Sequence, residues 1–301
     1  MEASQVRFGR VTVYFGEKNG KYPDGNQLVV TGTDSKVVFD TPLSANRLQH
    51  ELAGADMAIL GHVHEDHTCG LHMLPDAEVF APEADVAALR SMEGMMAHYG
   101  YAPQTLAAMV PHIVDDFYFQ PRPDAQGYAG GRVWELGGSR VRAIHMPGHT
   151  HGHSVLLVEP EGVAFIGDID LSGFGPYYGD ACSNLEEFRE TLERIEHMEA
   201  KVWVTSHHKG IITEREQFVA LLHAFKDRIR QREEAMLAEL AGAGRTLEEL
   251  VAHRFLFPKG YQGLFVEDAE RMTIREHMRA LMAQGRVSEE EGRFVARAPA
   301  G

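Results

Sequence analysis

Met57-Ala58-Ile59-Leu60-Gly61-His62-Val63-His64-Glu65-Asp66-His67 runs from an apolar tetrapeptide straight into three histidines and two carboxylates. The first four residues read as a buried strand, a short continuous apolar run closed by a glycine. Five of the six that follow the glycine carry imidazole or carboxylate side chains, the donors that suit a first-row transition metal. The stretch therefore reads as half of a metal site hung on a strand end. A solvated histidine-rich loop is the bland alternative, and distant residues that complete the set are what would separate the two.

Three other segments end a β-like run in the same chemistry. Met146-Pro147-Gly148-His149-Thr150-His151-Gly152-His153 presents histidines on a turn after a strand, Phe165-Ile166-Gly167-Asp168 ends an apolar strand in a carboxylate, and Val202-Trp203-Val204-Thr205-Ser206-His207-His208 ends another in two histidines. Strand ends of one sandwich converge on one edge, so four of them favour a shared site over coincidence.

Strands are expected at Arg10 to Phe15, Gln27 to Thr31, Lys36 to Phe39 and Met57 to Leu60, with turns at Gly16 to Gly25 and at Gly32-Thr33-Asp34. Ser44 is placed as the N-cap of a helix through Leu52, and residues 82 to 110 read as helical with Met92, Met95, Met96 and Tyr99 on one face. A second β series follows at Gly131 to Leu136, Arg140 to His145, Ser154 to Val158 and Val163 to Ile166. Asn184 caps a helix to Met198, and Val202 to Thr205 is read as a last strand. Two β halves with helices between them predict two sheets sandwiched between helices. After Thr213 the pattern changes to a long charged helix from about Glu214 to Leu240, ending in Ala241-Gly242-Ala243-Gly244-Arg245. Helices at Thr246 to Ala252 and Ala269 to Gln284 and a small hairpin from Gly285 complete the order of a winged-helix module. Residues 1–213 and 214–301 are accordingly expected as two regions.

The chain has 301 residues and a formal net charge of −15. Residues 214–301 carry 14 Lys+Arg against 15 Asp+Glu, leaving 15 against 29 in the first 213. The half with the histidine cluster should repel polyanions, and the near-neutral C-terminal region has no basic footprint, so nucleic acid is not the expected partner. Two cysteines, Cys69 and Cys182, make no disulfide framework. The start, Met1-Glu2-Ala3-Ser4-Gln5-Val6-Arg7, has no basic stretch leading into an apolar one, and no apolar run is long enough to span a bilayer. A cytoplasmic protein, with no membrane partner and with a homodimer allowed, is the expectation.

Residues 10 to 212 resemble the metallo-β-lactamase superfamily. The motifs stand in the family's order: Phe39-Asp40-Thr41, His62-x-His64-x-Asp66-His67, Pro147-Gly148-His149-Thr150, Gly167-Asp168 and a final His207. Pro42 stands where a glycine is usual and Cys69 where a small residue is common. The pair His207-His208 leaves the last ligand open by one position, and His207 is chosen because it follows its strand at the usual offset. The resemblance, in the glyoxalase II and lactonase-like branch, implies an α+β fold, an αββα sandwich, here with a small helical, winged-helix-like C-terminal region. It implies a dinuclear centre of two divalent metals, zinc first, with iron or manganese as alternatives. His62, His64 and His149 would hold one metal, Asp66, His67 and His207 the other, and Asp168 would bridge them. A hydroxide shared by the two metals would be the nucleophile, with Asp66 orienting it and passing a proton to the leaving group. Asp40 and His153 are expected to orient ligating imidazoles, His151 and His208 to be exposed or supporting, and Val63 and Glu65 to be spacers. His72, His112 and His145 are given no role.

The expected reaction is hydrolysis of an ester, thioester or lactone of a small, partly apolar substrate. Met92, Met95, Met96, Tyr99, Tyr101, Met109, Phe117, Tyr118 and Phe119, and the loop Gly173-Phe174-Gly175-Pro176-Tyr177-Tyr178, are the candidate walls; helix packing competes with a wall role for the methionine face. Phosphodiester cleavage of RNA or a nucleotide is the alternative, and it needs a basic channel that the sequence does not show. A sensor or scaffold without catalysis is the third reading, against which the full ligand set speaks. Flavodiiron-type relatives carry Glu where His64 stands, whereas single-iron persulfide dioxygenases keep much of the motif.

Overall fold

Val11 and Val13 are fully buried while Thr12 and Tyr14 are only partly so, the period-two pattern of a strand with one face in a core. The same logic builds the first sheet. The computed structural model describes residues 4–242 and 244–297; residues 1–3 of the start, Ala243 in the expected helix end and residues 298–301 lie outside them. Strands β1 (Gln5–Phe8), β2 (Val11–Tyr14), β3 (Gln27–Thr31), β4 (Lys36–Phe39), β5 (Met57–Ile59), β6 (Glu78–Pro82) and β7 (Gln126–Tyr128) pair in that order, antiparallel as far as β4 and parallel beyond it. The second sheet runs in the order β13 (Ile211–Ile212), β12 (Val202–Val204), β11 (Val163–Phe165), β10 (Ser154–Glu159), β9 (Arg140–His145) and β8 (Val133–Glu135).

The sheets meet face to face. Val11, Leu28, Phe39 and Ile59 of one contact Val141, Leu156, Phe165 and Val204 of the other in one buried cluster, with the Phe39 and Phe165 rings 6.1 Å apart. On the outer face of the first sheet lie α1 (Gln49–Leu52), α2 (Val86–Arg90), α3 (Met92–Tyr99) and α4 (Pro103–Asp115). On the outer face of the second lie α5 (Leu185–Glu196) and α6 (Arg215–Glu239). The architecture is an αββα sandwich, and α7 (Leu247–His253), α8 (Val266–Ala283) and the hairpin β14 (Val287–Glu290) to β15 (Arg293–Ala296) form the helical C-terminal region.

Local chemistry sets most element ends. Asn184 accepts from the N–H groups of Glu186 and Glu187 at the start of α5, and Thr246 and Glu249 form a capping box on α7. Two expectations are corrected. The single helix expected over 82 to 110 is three helices, because extended Ser91 caps α3 by accepting from Gly94 N–H and Gly100, at φ +66°, ends it. Ser44 is not an N-cap: its hydroxyl donates to Gly25 O at 2.6 Å, and the chain makes a 3-10 turn over Leu43–Arg47 before α1.

Helix α6 belongs to two cores. Phe218, Leu222, Phe225 and Ile229 pack on the second sheet, and Met236 packs with Leu250, Ile274, Leu281 and Phe294 of the C-terminal elements. The join is the Trp203 indole on β12, buried and stacked on Phe218 at 4.4 Å between centroids. Replacing Trp203 by Ala should cost about 3–5 kcal/mol by loss of burial and a residual cavity. A urea denaturation midpoint equal to that of the parent protein would show that the stack does not join sheet and helix.

Candidate metal centre

Asp168 follows β11 by way of Gly167, which holds φ +56°; a Cβ there would stand 2.6 Å from His153 Nε2, so only glycine lets the chain turn at this point. The turn brings the carboxylate between two sets of imidazoles. Its Oδ1 lies 3.2 Å from His67 Nε2 and 3.5 Å from His207 Nε2, while its Oδ2 lies 3.4 Å from His149 Nε2 and 4.0 Å from His62 Nε2. Asp66 Oδ2 is 3.1 Å from His207 Nε2, and His64 Nδ1 is 3.1 Å from His149 Nε2. Two trios each gather their donor atoms within 4.8 Å: His62 with His64 and His149, and Asp66 with His67 and His207. The seven residues named from the sequence thus lie together, and six of them are buried, with Asp168 half-buried.

The proton inventory tests whether metal fits. His149 Nδ1 donates to Tyr177 O (3.0 Å), and His207 Nδ1 donates to Gly20 O and Asp24 O (both 2.9 Å). His67 Nδ1 lies 2.7 Å from Asp40 Oδ2, and His64 Nε2 lies 3.2 Å from Asp180 Oδ2. His149, His207 and His67 each commit the proton of one nitrogen to an acceptor outside the cluster, which leaves the lone pair of the other aimed inward, and the outer nitrogen of His64 has the Asp180 carboxylate beside it. Nε2 of His62, His67 and His207 and Oδ1 of Asp168 are buried with no hydrogen-bond partner. Converging lone pairs repel unless a cation lies among them, so the residues fit divalent metal. Where protons on His67, His207 and His62 supply the positive charge in place of a metal, they hold the Asp168 carboxyl well below the ordinary range against its burial.

The supporting residues tie the strand ends together. Asp40, in a left-handed conformation at φ +48°, accepts from Gly61 N–H at 2.7 Å through the oxygen not used by His67. Such a conformation costs on the order of 1–3 kcal/mol in a non-glycine residue and is kept because the carboxylate braces both the β5 turn and a ring. His153 Nδ1 donates to Met146 O, and its Nε2 accepts from Asp168 N–H at 3.3 Å. No sequence motif marks Asp180: it lies in a loop twelve residues past Asp168, and its second oxygen bonds the Tyr101 hydroxyl. Glu65 is no spacer, since it accepts from the Tyr99 and Tyr22 hydroxyls at the pocket wall, whereas Val63 is fully buried.

His207 lies in the cluster and His208 beside it. His208, about one-third exposed with φ +63°, points Nε2 at Asp170 Oδ2 (3.6 Å). Burial together with neighbouring Asp168 raises the Asp170 carboxyl to about 7. His151 is half-exposed against Glu187, and His112 is exposed against Asp116.

A cavity of about 500 Å³ opens onto the cluster. Tyr99, Tyr101, Met109, Phe174 and Tyr177 line it as the sequence led one to expect, but Met92, Met95 and Met96 pack in the core under the first sheet. The rest of the wall comes from the C-terminal region, through Phe257, Tyr261 and Phe265, which no local pattern announces. Two long-range contacts hold these walls. Buried Arg232 of α6 donates to Phe174 O (2.6 Å) and Pro176 O (2.5 Å), with its guanidinium 5.3 Å from the Phe174 ring. Fully buried Glu270 accepts from the N–H groups of Phe255 (3.0 Å), Leu256 (3.0 Å) and Phe257 (2.7 Å).

Residues 23–207 match the family model of the metallo-beta-lactamase superfamily. Among curated relatives, the atrochrysone carboxyl ACP thioesterase of Pseudocercospora fijiensis is 27% identical over 196 residues, 64% of this chain and 56% of that protein. The atrochrysone carboxyl ACP thioesterase of Aspergillus novofumigatus is 27% identical over 264 residues, 81% of this chain and 70% of that protein. The chain spans about half the length of the first curated relatives it matches. Among solved structures, a metallo-beta-lactamase family protein of Thermus thermophilus superposes with a TM-score of 0.70 at 25% identity, covering 91% of this chain and 94% of that one. A beta-lactamase domain protein of Burkholderia ambifaria, at TM-score 0.69 and 16% identity over 98% and 94% of the two chains, shares the fold.

Asp40→Asn keeps the shape of the brace but removes its charge. It should weaken metal binding about 10–100-fold, measured by competition with a chromogenic chelator; unchanged affinity would mean that Asp40 does not orient His67.

Proposed function

The chain belongs to the metallo-beta-lactamase superfamily and is a metallo-hydrolase of its fold, and on that premise we propose that it hydrolyses acyl thioesters. The observation that carries the reading is the aromatic cavity opening directly onto the His and Asp cluster. The names of the curated relatives, thioesterases of carrier-bound acyl groups, narrow the ester, thioester or lactone expectation to the thioester.

In this reading His62, His64 and His149 would hold one divalent metal and Asp66, His67 and His207 the second, with Asp168 available to both. Zinc is the first choice, with iron or manganese as alternatives. Metal bound there would make a water easy to deprotonate near neutral pH and would polarise the carbonyl oxygen of the substrate. The chain's own groups do the rest. Phe174, Tyr177, Phe257 and Phe265 hold the apolar acyl part and exclude water from it. Asp66 orients the attacking water through a carboxylate oxygen and carries its proton to the departing sulfur. The water oxygen bonds to the acyl carbon, the carbon–sulfur bond breaks, and the products are a carboxylic acid and a thiol. Residues 1–213 supply the reacting end of the site and residues 214–301 one wall of it.

Phosphodiester cleavage finds no basic channel at the cavity, whose lining holds one lysine, Lys21, and no arginine, with Glu65, Asp170 and Asp180 as acids besides the metal ligands. No helix among the described residues is long and apolar enough to cross a membrane.

The test is elemental analysis of protein purified without chelator, followed by a screen of acyl thioesters, p-nitrophenyl esters, lactones and bis-p-nitrophenyl phosphate. Bound transition metal and preferred thioester turnover are expected. Asp168→Ala should lower metal content and cut turnover by at least about 10³-fold, leaving the circular dichroism spectrum intact. Phosphodiester turnover without acyl turnover, or an active Asp168→Ala protein, would overturn the reading.

A further inference from the structure

Behind the aromatic wall lies a second cavity, also about 500 Å³, between residues 100–105 on one side and residues 254–275 on the other. Its charge is opposite to that of the catalytic pocket. Arg254, Arg271 and Arg275 line it against two acids, Glu267 and Asp268, in a chain whose formal charge is −15. Arg271 is already engaged by Glu248 at 2.8 Å and by Asp268 at 2.7 Å, which also accounts for Asp268. Arg254 and Arg275 make no salt bridge within 4.0 Å among the described residues, and Arg254 Nη1 is buried with no hydrogen-bond partner. Burying a donor of a charged group without an acceptor is costly, and an anion in this cavity would satisfy it. Arg254 also sits at φ +67°, a left-handed conformation that sets a long side chain against ordinary backbone preference.

The two cavities are neighbours. Tyr101 and Tyr261 line both, and the half-exposed Tyr261 ring stacks on Phe257 at 5.3 Å, forming a rim between them. A ligand with its thioester at the metal cluster and a chain long enough to pass this rim would reach the arginine cavity.

We propose that the arginine cavity binds the phosphate of a phosphopantetheine arm, so that thioesters carried on that arm are the substrates; this rests on the thioesterase reading above. The arm is linear, with sulfur at one end, a phosphate at the other and an amide chain between. Guanidinium groups pair with a phosphate through charge-assisted hydrogen bonds. Free coenzyme A and a carrier protein both present this arm, and the chemistry at the cavity is common to them.

The experiment compares the same acyl group as a thioester of pantetheine and of 4′-phosphopantetheine, on the full chain loaded with metal. The phosphate should lower KM by roughly tenfold or more. Arg275→Ala, on an exposed helix position, and Arg254→Gln should each bring the ratio of kcat/KM for the two thioesters toward one. Calorimetry should show 4′-phosphopantetheine binding more tightly than pantetheine, with the difference lost in the same variants. Equal KM and equal binding for the two arms, or a phosphate preference that survives both substitutions, would overturn the proposal while leaving the thioesterase reading standing. If no thioester is hydrolysed, that reading falls and the calorimetric comparison alone decides the phosphate site. Where the phosphate is preferred, acyl-CoA outperforming the acyl-phosphopantetheine thioester assigns the cavity to the free coenzyme, and an acylated carrier protein outperforming both assigns it to a protein-borne arm.

Discussion

Lone pairs of unprotonated ring nitrogens converge on two points on either side of one carboxylate, and that arrangement is stable only with positive charge among them. The rest of the molecule serves this constraint. The ends of β5, β11 and β12 and the turn between β9 and β10 deliver the donors, and the sandwich between them holds these groups 3.1 to 4.0 Å apart. Carbonyls and a carboxylate outside the cluster draw the protons of His67, His149 and His207 away from the centre. Such buried polar groups are tolerable because the outward nitrogens of these rings have acceptors, so the support is as much a condition of the site as the donors are.

Much of this is readable in the chain because strand ends are local. Strands β3 and β4 fall on the expected residues, their β-branched runs being bounded by turn residues, and the donors of the cluster follow such runs directly. Asp168 is legible because an apolar run ends in Gly167, where a side chain would collide with His153. What cannot be read depends on contacts between distant residues. Asp180 reaches His64 across 116 positions of sequence, and Glu65 has no visible partner until α3 brings Tyr99 against it. The helical stretch between the β halves is readable as helical but not as three pieces, since its breaks rest on the backbone conformations of Ser91 and Gly100. Strands β6, β7 and β13 are short and take their identity from neighbours in the sheet.

The C-terminal region shows the same divide. Its order of elements is plain from capping residues and helical periodicity, yet its place over the catalytic cavity is set by Arg232 and Glu270, two buried charges whose partners are backbone groups in another stretch of chain. Helix α6 takes part in both the sandwich core and the C-terminal core, so the wall is anchored to the reacting end through a single rigid element.

Glu270 fixes residues 255–257 by their backbone N–H groups and leaves the side chains there free of that duty. The aromatic wall can therefore change by substitution at Phe257 without moving the backbone that carries it, and without touching any donor at the metal cluster. A molecule built this way is evolvable in a particular sense: its chemistry is held by the strand ends of one region, while its choice of substrate can drift, one aromatic residue at a time, in the other.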